Sequence, residues 1–537
     1  MKPFLTLHDP QAARVYYEKG LWTGDTFYSL MAVHAERAPA AAALRDGRQR
    51  LDWQTLKARV DAMADDLAGR GITAGDRIAL WLSNRAEAIV TFLACSREGI
   101  ACNPSLHRTF TCAEIVELLT ELSARALVTE AGWGADRAAR DFDALLADLP
   151  FLKKVYTPGT MPTAPTGERR PVHDNPDSVV YLAFTSGTTG RPKCVMHSCN
   201  TLLANARDLV RDWGLSSDTV ILSLSPLSHH IAWVAIAQWL VCGGEMVTDD
   251  PPAGLSKLDW IVETQATYVL GVPTHAMDIL AEQKRRAIPR LGRVAIFYMA
   301  GSPIPEVVAR AFVDQGIAPQ NIYGMTECSS HQYTHPDDSK EVWISTCGRG
   351  GPAYEVRIWD PEHPGEELPP GRSGHIGGRG AAMMLGYFAN QAATEDTFNR
   401  HGYLLSGDLG SFDAAGNLRI EGRIKDLIIR GGHNIYPSRI ESLALTHPRV
   451  EKAAAFGVPD ERLGERVGLA VIGDLSADAM LEHLAAEGLS KFDMPEWFAA
   501  THEFPLTASG KILKRELVEM VKDGRFRLEA IRYQEKG

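Results

Sequence analysis

The sequence predicts an α/β protein: a large N-terminal domain of helix-covered, mostly parallel sheets plus a β-rich subdomain, followed by a small C-terminal α+β domain. Three observations carry this. Apolar strand-like runs alternate with helix-period runs from about residue 76 to 315; short runs broken by Gly and Pro take over after about residue 353; mixed elements return beyond residue 422.

The first unit is RIALWLSN from residue 77, a buried strand, followed by AEAIVTFLACSREGI, whose apolar residues fall at helical spacing before a terminating Gly. The alternation recurs at 178–184 (strand), 202–213 (helix), 219–224 (strand) and 231–241 (helix), then at 294–299 (strand) and 305–315 (helix). Such repetition favours a parallel sheet flanked by helices. The stretch YEVRIWDPEHPGEELPPGRSGHIGGRG has the texture of antiparallel strands and tight turns. Beyond it, IESLALTHP and SADAMLEHLAAEG suit helices, and KAAAFGVP and RVGLAVIG suit strands. Domains are expected at 1–424 and 425–537, and residues 157–177, rich in Pro, Thr and Gly, form a linker-like stretch.

A chain of 537 residues exceeds one ordinary core, and 45% hydrophobic with 23% charged residues suits a globular enzyme rather than a disordered chain. The net charge of −11 comes without a basic block, so no nucleic-acid partner is expected. The eight cysteines are sparse and irregularly spaced, unlike a disulfide framework. Cys194, His197 and Cys199 lie close together but lack a second ligand pair, which favours packing over metal binding. The N-terminus lacks an apolar signal core, and the most apolar segment, 231–242, is shorter than a membrane span and contains Gln238. A cytoplasmic location without a membrane span is the expectation.

The most informative segment is YLAFTSGTTGRPKCVMHS, residues 181–198, where an apolar strand runs into hydroxyl and glycine residues followed by a lysine. Gly187 and Gly190 let backbone N–H groups approach an anion, Ser186, Thr188 and Thr189 add donors, and Lys193 adds a positive charge. A triphosphate fits such a loop. It is not a Walker A sequence, because Pro192 stands where the second glycine is required.

With this loop, and with SPLSHHIA (225–232), AGSPIP (300–305), NIYGMTE (321–327), GYLLSGDLG (402–410), GRIKDLIIRGGHNIYPSRIE (422–441) and PLTASGKILKREL (505–517) following in order, the chain resembles the adenylate-forming superfamily of acyl- and aryl-CoA synthetases, luciferases and peptide-synthetase adenylation domains. The resemblance spans about residues 30 to 515. It implies ATP, Mg²⁺ and coenzyme A as cofactors.

The resemblance implies that Thr185, Ser186, Gly187, Thr188, Thr189 and Lys193 hold the β- and γ-phosphates, and that Gly301, Ser302 and Pro303 line the adenine. Asn321, Tyr323 and Gly324 belong to the same nucleotide site, with Tyr323 stacked on the base. Thr326 is carried over as the α-phosphate contact, Glu327 as the Mg²⁺ ligand, Asp408 as the carboxylate on the ribose hydroxyls and Arg423 as the base near ribose and phosphate. Lys511 matches the lysine that neutralises charge at the attacked phosphorus, and Lys425 the hinge about which the C-terminal domain turns. That turn would bring Gly431 and Gly432 to a pantetheine arm. His229 occupies the position of a gate to the acyl pocket, with His230 an equal candidate one residue on.

Within the superfamily the likeness is to medium-chain and alicyclic acyl-CoA synthetases, the cyclohexanecarboxylate type included. Pocket walls are expected from His229, Ile231, Trp233, Tyr298, Met299, Ala300 and Met325, a mainly apolar set suited to a hydrophobic acid. Two alternatives stand beside an acyl-CoA synthetase: a ligase that passes the acyl group to a carrier-protein pantetheine, and an inactive nucleotide-binding protein. A homodimer is compatible with the sequence.

Overall fold

Two mostly parallel sheets account for the alternation in the first part of the chain. The computed structural model describes residues 9–166, 170–185, 192–507 and 511–533. One sheet has eight strands, in the order Ser329–Tyr333, Ala318–Met325, Ile296–Met299, Tyr268–Gly271, Val220–Ser223, Glu245–Thr248, Ala42–Arg45 and Arg50–Asp52. Its inner pairings are parallel and its two outermost strands run antiparallel. The other has seven strands, with Arg77–Trp81, Ala101–Asn103, Ala126–Thr129, Lys154–Tyr156 and Val179–Thr185 joined in parallel.

The helix His230–Cys242 is buried along its length from His230 to Leu240. It packs in the same apolar cluster as side chains from Phe27–Arg37, Trp53–Gly69, Ala86–Glu98 and Cys199–Asp212. A helix apolar on every side needs cover on every side, and here the Trp53 and Trp239 rings stack at 5.0 Å within that cover. Among the described residues no helix is long and apolar enough to cross a membrane.

The segment after the candidate phosphate loop differs from the sequence expectation. Instead of leading directly to a helix at 202, Lys193–Ser198 forms a strand antiparallel to Val179–Thr185, with Thr185 opposite Lys193. From Cys194 to Ser198 every residue is buried, so the period-two alternation that announces a strand is absent. Ser198 then caps the helix Cys199–Asp212 in a reciprocal box with Thr201, which starts it three residues earlier than its apolar spacing suggested. Cys194, His197 and Cys199 are all buried in this strand and helix start, and His197 is hydrogen-bonded to Thr201 and to the Thr326 carbonyl.

The Gly- and Pro-broken region folds as an antiparallel sheet of Tyr354–Trp359, Gly374–Gly380, Leu404–Phe412 and Leu418–Arg423. Beyond a short 3₁₀ turn, Ile424–Asp426, the chain builds a further sheet around the long hairpin Val450–Asp460 and Gly464–Gly473. Leu469 and Val471 pack there against Met480 and Leu484 of the helix Ala477–Ala486, in a core of their own. Few polar contacts tie this last part to the rest. The Ser438 hydroxyl donates to the Glu421 carbonyl, and Lys452 pairs with Asp278 at 3.0 Å, an ion pair that joins the chain before 424 to the chain after 437.

Candidate active site

The centre of the site is the turn after the strand Ala318–Met325. A Cβ at Gly324 would lie 1.8 Å from the Ser329 carbonyl oxygen, so only glycine lets the chain fold back this tightly. Ser329 itself takes φ +55°, a conformation rare for a residue with a side chain. Three contacts hold the turn. His197 Nε2 lies 2.7 Å from the Thr326 carbonyl, so the ring carries its proton on Nε2 and Nδ1 accepts from the Thr201 hydroxyl 3.0 Å away. Burial lowers the His197 pKa to about 4, which keeps the ring neutral at physiological pH. The Met384 N–H donates to the Glu327 carbonyl at 2.7 Å, and the Tyr387 hydroxyl donates to Glu327 Oε1 at 2.9 Å. Desolvation raises the Glu327 pKa, partly offset by Tyr387 and by the nearby charge of Lys193.

Lys193 begins its strand opposite Thr185, whose hydroxyl donates to the Lys193 carbonyl at 3.3 Å. Ser186, Gly187, Thr188 and Thr189 lie outside the described residues. Lys193 Nζ sits 4.6 Å from the centroid of the Tyr387 ring, so Tyr387 touches Lys193 with its face and Glu327 with its hydroxyl.

Asp408 ends a second group. Its Oδ2 accepts from the Tyr323 hydroxyl at 2.8 Å, and its Oδ1 lies 3.2 Å from Arg423 Nε. Burial raises the Asp408 pKa, against the opposing charges of Arg423 and Lys511. Tyr323 is buried with Ile358, Ile376 and Leu418, and its ring meets His331 edge-on at 5.5 Å. Asn321 is buried beside it, its amide donating to the Ile344 carbonyl at 3.3 Å and its Oδ1 without a partner.

Lys511 reaches this group from the far end of the chain. The Thr507 N–H donates to the Lys511 carbonyl at 2.8 Å and the Lys511 N–H to the Thr507 hydroxyl at 3.0 Å, so the lysine stands on a backbone-braced loop end. Its side chain runs past Gly301, where a Cβ would come within 3.0 Å of Lys511 Cε. Gly301 has φ +94°, which favours glycine for a second reason. Ser302 and Pro303 follow at the more open edge. Burial, then the Arg423 charge, lowers the Lys511 pKa to about 8, and its ammonium makes no hydrogen bond or ion pair among the described residues.

The two adjacent histidines separate clearly. His230, the first residue of its helix, is fixed by the Tyr181 hydroxyl at 3.2 Å and the Ser329 hydroxyl at 3.1 Å. His229, the cap before the helix, has no hydrogen-bond partner for Nδ1 among the described residues and feels the charge of Lys511. Desolvation, then Lys511, lowers its pKa to about 3. His229 therefore faces the site and His230 the interior. Of the expected acyl-pocket walls, Trp233, Tyr298 and Met299 are spent in the core, with exposures of 1%, 0% and 0%. Apolar character marks core and pocket alike, which is why the sequence could not part them.

Lys425 is exposed in the 3₁₀ turn Ile424–Asp426. Gly431 and Gly432 join the strands Ile428–Arg430 and His433–Ile435, with φ +59° and +86°. A two-residue hairpin of this kind needs positive φ at both positions, so the pair of glycines has a local structural cause. Tyr387 escaped the sequence reading and His197 was read only as a packing residue, since each holds a residue more than 50 positions away.

A lysine carried from one sheet system to a group of acids and glycines on another offers its charge to an anionic ligand. Comparison with known proteins agrees: residues 31–388 match the AMP-binding enzyme family and residues 439–511 the AMP-binding enzyme C-terminal domain. The chain belongs to the AMP-binding enzymes, within the adenylate-forming superfamily. It is 29% identical to the medium-chain fatty-acid–CoA ligase of Escherichia coli K12, over 96% of this chain and 93% of that one. It is 32% identical to a feruloyl-CoA synthase of Amycolatopsis, over 90% of this chain and 96% of that one. The ATP-bound crystal structure of MatB from Rhodopseudomonas palustris superposes with a TM-score of 0.82 at 28% identity, over 93% of this chain and 100% of that one.

Two predictions follow from Lys511 and its surroundings. Its ammonium is charged below its pKa of about 8 and lost above it, so kcat/KM for acyl-adenylate formation, followed as pyrophosphate release, should fall as pH rises through about 8. His229 stays neutral across the same range and adds no limb. Gly301→Ala would crowd Lys511 Cε and strain the backbone by roughly 1–3 kcal/mol, so acyl-adenylate formation should slow by about fivefold to a hundredfold in single-turnover assays. Thioester formation from supplied acyl-adenylate should change less than about threefold, the split expected of a lysine that acts in the first half-reaction alone.

Proposed function

We propose that the protein is an ATP-dependent acid–thiol ligase that joins a hydrophobic carboxylic acid to coenzyme A by way of an acyl-adenylate. In the first half-reaction a substrate carboxylate oxygen attacks the α-phosphorus of ATP and the bond to pyrophosphate breaks. In the second, the thiol sulfur attacks the acyl carbon and the bond to AMP breaks. The observation that carries this reading is the Lys511 ammonium, desolvated beside Asp408, Arg423 and Gly301 and without a hydrogen bond or ion pair among the described residues. A buried cation without a counter-ion is costly, and an anion in the cleft completes it.

The residues present fit the nucleotide and its metal. Glu327 offers a hard carboxylate oxygen next to Lys193, a donor set suited to Mg²⁺ held together with phosphates. Bound there, Mg²⁺ would neutralise phosphate charge. Asn321 Oδ1, buried without a donor, suits an exocyclic amine such as that of adenine, with Tyr323 and the Gly301–Pro303 edge beside the base. Asp408 has an oxygen for ribose hydroxyls, and Thr326 stands where the α-phosphate would lie. Thr185 and Lys193 frame the β- and γ-phosphates together with residues 186–189. Lys511 then meets charge that builds on the α-phosphate oxygens during attack, which stabilises the transition state more than the ground state.

The same reading divides the chain at 424/425, with Lys425 as the pivot. Rotation there withdraws Lys511 and presents Gly431 and Gly432 to the pantetheine arm. The isolated core of the C-terminal part and its few polar ties to the rest support such movement. His229 gates the acyl side, and Ile231 and Ala300 line it in support of a hydrophobic acid of medium-chain, alicyclic or bulky type. The E. coli relative named for medium-chain fatty acids favours the same class. Coenzyme A is favoured over a carrier protein because both curated relatives above are named for it. A cytoplasmic location fits these substrates.

A panel of carboxylic acids with ATP and Mg²⁺, read as pyrophosphate release and repeated with coenzyme A and with a holo-carrier protein, tests the proposal. Medium-chain and alicyclic acids should give the highest kcat/KM, and release with no acid in a broad panel would refute it. Lys511→Ala should slow acyl-adenylate formation by at least ~10²-fold, roughly 3 kcal/mol, in the same assay. Lys425→Pro should spare acyl-adenylate formation and impair thioester formation, and equal losses in both half-reactions would count against the pivot.

A further inference from the structure

Lys193 and Glu327 carry opposite charges in one cleft, yet among the described residues they form no ion pair within 4.0 Å. Tyr387 lies between them. Its ring face meets the Lys193 ammonium at 4.6 Å and its hydroxyl reaches Glu327 Oε1 at 2.9 Å. The tyrosine is 4% exposed, packed with Val195, Met384 and Leu404. Its backbone is locked to the strand that carries Lys193: Gly386 and Tyr387 pair with Met196 and Val195, and the flanking N–H groups of Leu385 and Phe388 donate to the Met196 and Cys194 carbonyls at 2.9 and 2.7 Å. The ring thus cannot drift from the lysine it faces.

We propose that Tyr387 is a positioning residue that keeps Lys193 and Glu327 from collapsing onto each other, so that the ammonium stays ready for phosphate and the carboxylate for a phosphate-bound divalent cation. This rests on the ligase reading above. A flexible four-carbon stem gives Lys193 the reach to close on a nearby carboxylate once the ring is gone. Such a pair would satisfy both groups and would have to open before a nucleotide and its metal could bind. Tyr387 gives each group a neutral partner instead, an aromatic face for the cation and an O–H donor for the anion. Both contacts are surrendered without leaving a charge unpaired when the nucleotide arrives.

The test uses the full-length enzyme and α,β-methylene-ATP, a non-reacting analogue, titrated by calorimetry with and without Mg²⁺. Tyr387→Leu should weaken binding of the Mg²⁺ complex by roughly tenfold or more, the scale of a partly buried ion pair that must open first. The single-turnover rate at saturating ATP should stay within about fivefold, because Lys511 and Thr326 are untouched. Lys193→Met should cost less in the Tyr387→Leu background than alone, since the lysine is already engaged there. Tyr387→Phe keeps the ring and should hold metal-free analogue affinity within about twofold of the wild type. A nucleotide-free crystal structure of Tyr387→Leu should show Nζ and the carboxylate in contact. Wild-type affinity in Tyr387→Leu, additive losses in the double variant, or charges still apart in that structure would each overturn the proposal. If Tyr387→Leu melts far below the wild type, Tyr387→Met carries the same expectations with more of the volume kept. A wild-type enzyme that does not bind the analogue at all refutes the ligase reading, while the crystal structure still decides the role of Tyr387.

Discussion

The structure depends on bringing a cation into a desolvated cleft without giving it a permanent partner. Lys511 is the clearest case, its pKa drawn down to about 8 by burial and by Arg423. Its neighbours are arranged to tolerate this. Asp408 is near enough to be felt but is itself engaged by Tyr323 and Arg423, and Gly301 yields the space the side chain occupies. A lysine with its own carboxylate would be stable and chemically idle. The cost of leaving it unpaired is met by extensive burial around the two mostly parallel sheets, and the mainly apolar helix His230–Cys242 is central to that burial.

The same economy shapes the turn around Thr326 and Glu327. Its backbone doubles back through Gly324 and the unusual φ of Ser329, and is pinned by His197 and Met384 from two other elements. Preorganisation of this sort places polar groups where charge will develop and leaves little to rearrange during reaction. Neutral partners recur here: a neutral imidazole at the Thr326 carbonyl and a phenol at the Glu327 carboxylate.

What could be read from the sequence follows from what chemistry demands of residue type. Phosphate needs glycines, hydroxyls and a lysine in one short stretch, and the parallel sheets announce themselves through alternation of period and length. The family resemblance supplied the remaining candidates, and the AMP-binding matches agree with it. Contacts between distant segments were hidden. The hydrogen bonds of His197 and Tyr387 could not be read from the sequence, because their partners lie 129 and 60 residues away. The choice between His229 and His230 turned on where a helix begins, since neighbouring side chains at a helix start point in different directions. Trp233, Tyr298 and Met299 were open to either reading, and only packing assigned them to the core.

The Lys452 and Asp278 pair has a further bearing on how firmly the last part of the chain is held against the first. One partner is 18% exposed and the other 61%, so dissolved ions reach the contact readily. Its grip weakens as ionic strength rises, while the apolar cores on either side are indifferent to salt at that level. Dilute buffers therefore favour the packing of the hairpin that carries Lys452 against the helix Pro273–Arg286, and concentrated ones loosen it.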